Sequence, residues 1–465
     1  MSSSQLDRPA APATPIDRLL RLFGDVQAGE GVTVLLMLSN IFLTLLCYSI
    51  IKVVREPLIL LGGGAEVRSY SSAGQAVLLM LFVPFYSWFA SRVDRRKLLI
   101  GVTLFFVVNI ELFALAVAAH VPLVGVAFFI WVGIFNNALT AQFWSYANDI
   151  YTKPAGDRLF PIIAIGMTAG APLGSLVAGR LSAAHFAPQM ILQVSAALLL
   201  LSLGLYLAVN ARETLRAPRT QEQGALAAGN GFALVLKSRY LRLIALLIVL
   251  LNVVNTTGEY LIAHLVELHA REAAAADSTF SQEAWIGAFA GSYQFWVNVV
   301  ALLLQFFITS RLVKYAGLRG ALLALPLIAL GGYSIVALGV SFAVVRWVKT
   351  AENATDYSIM NTARGLLWLP TTREEKYKGK QAVDTFFVRA GDLLQAGLVY
   401  AGTHFLLLSV RGFAVVNVLL TLGWLAVAFA ILRENRALAQ APPLQPVDTP
   451  MPTPPPQTPP RPQTA

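Results

Sequence analysis

The sequence predicts an all-α polytopic membrane protein with twelve transmembrane helices in two pseudo-symmetric six-helix halves. Three observations carry this. Of the 465 residues, 56% are hydrophobic and only 13% charged, against roughly 25% charged in soluble domains. Apolar runs long enough to cross a bilayer, which takes about 20 residues, recur along the chain. A polar stretch divides these runs into two sets with matching internal features.

The opening segment, 1–31, reads "MSSSQLDRPAAPATPIDRLLRLFGD" at its start. It has no apolar core beside a cleavage site, so it is expected to be a cytoplasmic segment and not a signal peptide. The N-terminal half, 32–210, holds spans near 32–52, 70–91, 97–119, 121–147, 159–183 and 188–210. A stretch rich in Arg, Gln and Gly, 211–237, reads as a cytoplasmic linker. The C-terminal half, 238–433, holds spans near 238–268, 284–309, 318–338, 341–367, 381–407 and 411–433. The remaining residues, 434–465, end in a tract of Pro, Thr, Gln and Ala that cannot bury a core and reads as a disordered cytoplasmic tail.

Basic residues set the orientation, because Lys and Arg gather in cytoplasmic loops. Arg92, Arg95, Arg96, Lys97, Lys153, Arg158, Arg212, Arg216, Arg219, Lys237, Arg239, Arg311, Lys314 and Arg319 share one side. The opposite loops hold Arg68, Arg180, Arg271 and Arg411. Both termini are therefore expected in the cytoplasm, with the protein in a bacterial-type inner membrane. The net charge of +10 belongs to this bias and implies no nucleic-acid partner. Cys47 is the sole cysteine, so no disulfide framework or cysteine metal site forms within one chain. "HLVELH" (264–269) lacks the H-E-x-x-H spacing, and no metal or cofactor is expected. A monomer is expected.

The halves echo one another. "ASRVDRRKLLIGVTL" (90–104) is matched by "TSRLVKYAGLRGALLAL" (309–325), and "ANDIYTKPAGDRLFPIIAIG" (147–166) by "LPTTREEKYKGKQAVD" (369–384). Two six-helix halves with a central linker describe the major facilitator architecture, whose substrate site lies near the midplane and whose halves rock to alternate access.

Ionisable groups within spans are costly and mark pathways. Helix 1 carries Lys52, Arg55 and Glu56, the two cations sharing a face. The bland alternative is snorkelling to an interface, since both lie near the expected helix end. In helix 10, Arg346, Lys349, Asn353, Tyr357, Asn361 and Arg364 form one polar stripe. It must face the protein interior or a watery cavity; the bland alternative is a buried ion-pair ladder with Glu352 and Asp356, and both can hold, with some cations paired and others free for substrate. Helix 7 brings Asn252, Asn255, Thr256, Glu259, His264 and Glu267; helix 4 brings Asn136, Asn137 and Gln142; helix 11 brings Asp384, Arg389, Asp392 and Gln395. Gly166, Gly170, Gly174 and Gly179 read as a close-packing face. "LGGGAEVR" (61–68) reads as a turn in an external loop, lacking a phosphate-loop ending. Several cations in a low-dielectric cavity suit a polyanion such as a phosphate chain.

Four segments resemble the nucleotide transporter family, the ATP/ADP translocases of plastids and intracellular bacteria: "CYSIIKVVREPLIL", "FWSYANDIYT", "HLVELH" and "DYSIMNTARGLLWLPTTREEKYKGKQAVD". The last is the most specific, and the resemblance runs from about 32 to 433. It implies that Arg55 takes the place of the family's helix 1 substrate lysine, Lys52 its basic neighbour, Glu267 the helix 7 glutamate and Arg364 the helix 10 lysine. The family's acidic residue in mid helix 4 is missing, with Asn136 and Asn137 nearby, and Asp356 stands where a basic residue is common.

The expectation is therefore a transporter of nucleotides by ATP/ADP-type exchange, not an enzyme. Substrate contacts would come from Lys52, Arg55, Glu267, Arg364, Asn136, Asn137, Tyr357 and Asn361. Glu267 would pair with a cation when substrate leaves. Gating or coupling would involve Glu259, Arg346, Lys349, Asp384, Lys380 and Lys153, with segment 369–384 capping the cavity and pairing with Lys153, Asp157 or Arg158 of the other half. Two alternatives remain: a proton-coupled symporter of another anion, and a membrane receptor or scaffold using its Pro-rich tail.

Overall fold

The chain has one way to satisfy its backbone inside a bilayer while keeping so apolar a composition, which is to close every N–H on its own helix. The computed structural model describes residues 14–90, 92–93, 95–214 and 231–440. The first thirteen residues, 215–230 of the expected linker and the Pro-rich tail from 441 lie outside the described residues. The helices are α1 (Pro15–Leu20), α2 (Gly31–Ala90), α3 (Arg95–Ala118), α4 (Val124–Ile150), α5 (Lys153–Ala183), α6 (Pro188–Thr214), α7 (Gly231–Lys237), α8 (Arg239–Ala276), α9 (Gln282–Leu303), α10 (Ser310–Ala337), α11 (Phe342–Thr355), α12 (Asn361–Leu366), α13 (Lys380–Ala382), α14 (Val388–His404) and α15 (Val410–Gln440). Short π-helical turns join several of them: Leu304–Thr309, Asp356–Met360, Glu375–Gly379 and Val383–Phe387.

Among the described residues, eight helices are long and apolar enough to cross a membrane. Two of these, Gly31–Phe82 and Gln282–Ala337, exceed 50 residues, and each is broken by a glycine of positive φ, Gly64 at 75° and Gly317 at 60°. At these points the chain reverses between two passes, a conformation that only glycine adopts without a Cβ penalty. The first arm of α2 therefore runs eleven residues beyond the end expected from sequence, and Lys52 and Arg55 lie more than two turns before the reversal. Arg68, read as a loop residue, sits in the first turns of the second arm.

Helices α2 to α6 pack on one another as the N-terminal half, with α5 along the first arm of α2. The glycine face of α5 behaves as its spacing implies. A Cβ at Gly166, Gly170 or Gly174 would run into the carbonyls of Leu38, Phe42 or Leu46. Helices α8 to α15 form the other half, built on α8 with α14 and α15, and α10 with α15. The halves meet along α5 with α9 and along α2 with α8, α9 and α14. Near Gly64 this contact is very close: Gly179 of α5 lies against Gly291 of α9, and Ser182 against Gly287.

The start of α2 is anchored by Asp17, which is fully buried (0% exposed). Its carboxylate accepts from the backbone N–H of Thr14, Gly29 and Gly31 at 2.7, 3.1 and 2.8 Å and from the Thr14 hydroxyl at 2.8 Å. Burial pushes this carboxyl up, but the Gly29, Thr14 and Gly31 donors outweigh it, and the pKa falls to about 2. An acid held below its unfolded value of about 3.9 stabilises the fold above that pH.

Both the anchor and the close contact are open to measurement. Hydrogen-exchange protection of the Gly29 and Gly31 amides should be complete above about pH 4 and lost as pH falls through about 2, and Asp17→Ala should lose it at neutral pH. Gly291→Val should force α5 and α9 apart at a cost of about 1–3 kcal/mol, read as a lowered thermal midpoint in detergent; an unchanged midpoint would show that the contact relaxes freely.

Candidate functional site

Between the halves lies a cavity of about 320 Å³. Its wall includes Lys52, Arg55, Glu56, Arg68 and Gln75 from α2, Phe129 from α4, Asn255 and Glu259 from α8, Tyr293 and Gln294 from α9, Asn353 of α11, and Tyr357 of the π turn that follows. Ionisable residues reach this wall because α2 and α8 each turn a polar stripe inward within an otherwise apolar run. Three cations stand against two carboxylates, Glu56 and Glu259, on this wall.

Both carboxylates are fully engaged. Glu56 Oε1 accepts from Arg55 Nη2 at 2.5 Å and Nε at 3.2 Å, and its Oε2 from Arg68 Nε at 2.8 Å. Glu259 Oε2 accepts from Arg68 Nη2 at 3.3 Å, and its Oε1 from Asn353 Nδ2 at 2.7 Å and the Tyr293 hydroxyl at 3.3 Å. Arg68 thus joins the halves. The Arg55 guanidinium also sits over Phe129, its central carbon 4.1 Å from the ring centre, with that of Arg68 5.8 Å from the same ring. This cation–π contact, with the bond to Glu56, holds Arg55 at the cavity wall and not at a membrane interface. Each guanidinium keeps donors unused, since it carries five N–H groups. Among the described residues, no hydrogen bond or ion pair engages the Lys52 ammonium.

The helix 10 stripe divides. Lys349 is nearly fully buried, 3.2 Å from Glu352 and 3.9 Å from Glu259, and it donates to the Asn255 carbonyl and side-chain oxygen. Tyr333 donates to Glu352 at 2.6 Å. Gly258 makes this possible, because a Cβ there would collide with the Tyr333 hydroxyl and the Lys349 ammonium. Arg346 donates to Ser292 at 2.8 Å and lies over Phe289. The stripe therefore holds the ladder in one part and meets the cavity at Asn353 and Tyr357.

Other expected residues lie elsewhere. Arg364 pairs with Asp384 at 3.1 Å, away from the cavity wall. Glu267 accepts from the Ala65 N–H at 2.8 Å and pairs with Arg271 at 2.5 Å, so it clasps the reversal at Gly64. Asn137 donates to Gly133 of its own helix at 2.8 Å, Asn136 is half-buried on α4, and Asn361, Lys380 and Lys153 are exposed. Segment 369–384 pairs within its own half, Lys378 with Glu374 at 2.7 Å, and α7 packs on it. Arg158 instead pairs with Glu30 at 3.1 Å and with Asp25. The molecule is closed at its Gly64 end, where Gln395 of α14 also reaches Ser69 at 3.3 Å. Arg68, Tyr293, Gln75 and Phe129 were missed from sequence; the first was hidden in a glycine-rich stretch that reads as a loop.

Among solved structures, a mutant form of the nucleoside transporter NupG superposes with a TM-score of 0.63 at 14% identity, covering 86% of this chain and 99% of that one. A bacterial homolog of the human lysosomal transporter Spinster, inward-facing and unoccupied, gives 0.61 at 15% identity, covering 88% and 98%. A bacterial homologue of the iron transporter ferroportin, inward-facing, gives 0.60 at 13%, covering 86% and 98%. The fold is that of the major facilitator transporters. No protein-family model matches the chain. Among curated proteins, ADP,ATP carrier protein 1 of Chlamydia muridarum is 26% identical over 223 residues, 42% of this chain and 40% of the relative. That of Chlamydia trachomatis serovar D is 25% identical over 221 residues, again 42% and 40%. The matched stretch thus spans less than half of each relative. The resemblance to the nucleotide transporter family stands, as that of a divergent chain.

The buried ladder makes a test of its own. Glu352→Leu should destabilise the protein by up to about 3–5 kcal/mol, because the buried Lys349 ammonium loses its nearest carboxylate and keeps only Glu259 at 3.9 Å and the Asn255 oxygens, whereas adding Lys349→Met should recover most of it. Thermal unfolding of the three proteins in detergent measures both.

Proposed function

We propose that the protein is a secondary transporter of nucleotides or a related phosphorylated anion, working by alternating access between its two halves. The observation that carries this is the donor balance of the cavity. Every oxygen of Glu56 and Glu259 already accepts a bond. Lys52 is unengaged among the described residues, and Arg55 and Arg68 keep N–H groups to spare. A site with spare cationic donors and occupied acceptors suits oxyanions, which take charge-assisted bonds from ammonium and guanidinium groups. The names of the partial relatives, ADP,ATP carriers, support nucleotide as the anion.

In this reading Lys52 and Arg55 hold phosphate oxygens, with Tyr357 beside them. Arg364, two turns further along the same helical run, receives the anion on entry in exchange for Asp384. Twelve spans, cytoplasmic termini, an inner-membrane location and strict exchange of ATP for ADP are part of the same proposal.

Reconstituted protein should take up radiolabelled ATP or ADP into liposomes, and uptake should require nucleotide trapped inside. Lys52→Ala should weaken ATP binding at least tenfold, on the order of 1.4 kcal/mol or more, without lowering the thermal midpoint. Unaltered binding by the folded variant would remove the central claim.

A further inference from the structure

We infer that the substrate's own anionic group opens the gate at the Gly64 end, by drawing Arg68 away from Glu259. The inference deepens the anion reading above and rests on it.

Arg68 is the cavity cation shared by carboxylates of both halves, and its two bonds are unequal. The one within its own half, to Glu56, is 2.8 Å, whereas the one across to Glu259 is 3.3 Å. The longer bond is the weaker and yields first. An anion entering the cavity meets the same guanidinium, which has donors to spare.

Glu259 tolerates the loss. Its Oε1 keeps Asn353 at 2.7 Å and Tyr293 at 3.3 Å, with the Lys349 ammonium 3.9 Å away in the same half. When Arg68 turns to the substrate, Glu259 keeps these neutral donors and shares the Lys349 charge with Glu352, so breaking the bridge costs less than leaving a bare buried carboxylate. Glu267 is placed alike: on losing the Ala65 N–H it retains Arg271 at 2.5 Å. Glu259 and Glu267 thus each have one partner across the gate and at least one more at home. A neutral solute offers Arg68 nothing to replace Glu259 and leaves the gate shut. An empty carrier stays closed at this end for the same reason, so the arrangement favours exchange over net leakage.

A cysteine at Ser182 reports the gate, since Ser182 is 5% exposed and lies against Gly287 between the halves. Native Cys47 is fully buried and adds no background. In nanodiscs, ATP should speed maleimide labelling of S182C at least about fivefold, the lower range of coupling between sites, and adenosine should not. With Glu259→Gln added, labelling should be fast without ligand and indifferent to it. ATP should also bind this variant about fivefold tighter by calorimetry, because Arg68 no longer has to be released. A merely structural bridge predicts no gain in affinity. ATP that binds without changing the labelling rate, or a Glu259→Gln variant with slow labelling and unimproved affinity, overturns the inference and leaves the anion reading intact. ATP that binds to neither protein overturns both. Should Glu259→Gln fail to fold, the contrast between ATP and adenosine in S182C decides alone.

Discussion

The structure depends on one guanidinium. Arg68 holds Glu56 in its own half and Glu259 in the other, and much of the site's order follows from that bridge. Glu56, fixed by Arg68, in turn fixes Arg55 over Phe129. Glu259, occupied by Arg68, leaves Lys349 to Glu352. The close approach of Gly179 to Gly291 lies near the same end. A charge taken from water is tolerable only when it is paired and bonded, so ionisable residues this deep must form a connected set. Lys52 is the member the set leaves over.

The helical membrane fold was legible because composition and run length report directly on the bilayer as solvent. Lys52, Arg55 and the α11 stripe were legible for a related reason: charge within an apolar run stands out. Arg68 was not. It follows three glycines and an acidic residue, a pattern with the chemistry of a surface turn. Only the reversal at Gly64, which brings the second arm back alongside the first, turns Arg68 inward. Spacing likewise could not separate Glu259 from Glu267. Both lie on α8 two turns apart, yet one lines the cavity and the other clasps the hairpin tip.

The polar stripe of α11 teaches a similar lesson. Its periodicity established that it faces away from lipid, but periodicity is blind to what stands opposite. Tyr333 from α10 and the missing side chain at Gly258 turn Lys349 and Glu352 into an enclosed pair, while one turn on, Asn353 and Tyr357 meet open space. The same stripe is thus structural along one stretch and cavity-facing along another.

The two halves echo each other in sequence, yet they are mechanically unequal. All four π-helical turns among the described residues fall in the C-terminal half, one between α9 and α10 and three between α11 and α14. A π turn widens the hydrogen-bond ladder by one residue and leaves a helix easier to bend there. Among its described residues the N-terminal half has no π turn, and its glycine-laced α5 is seated closely against α2. In any rocking motion the first half would move as a stiff jaw, while the second would supply the compliance, bending within its helices as well as pivoting about its loops.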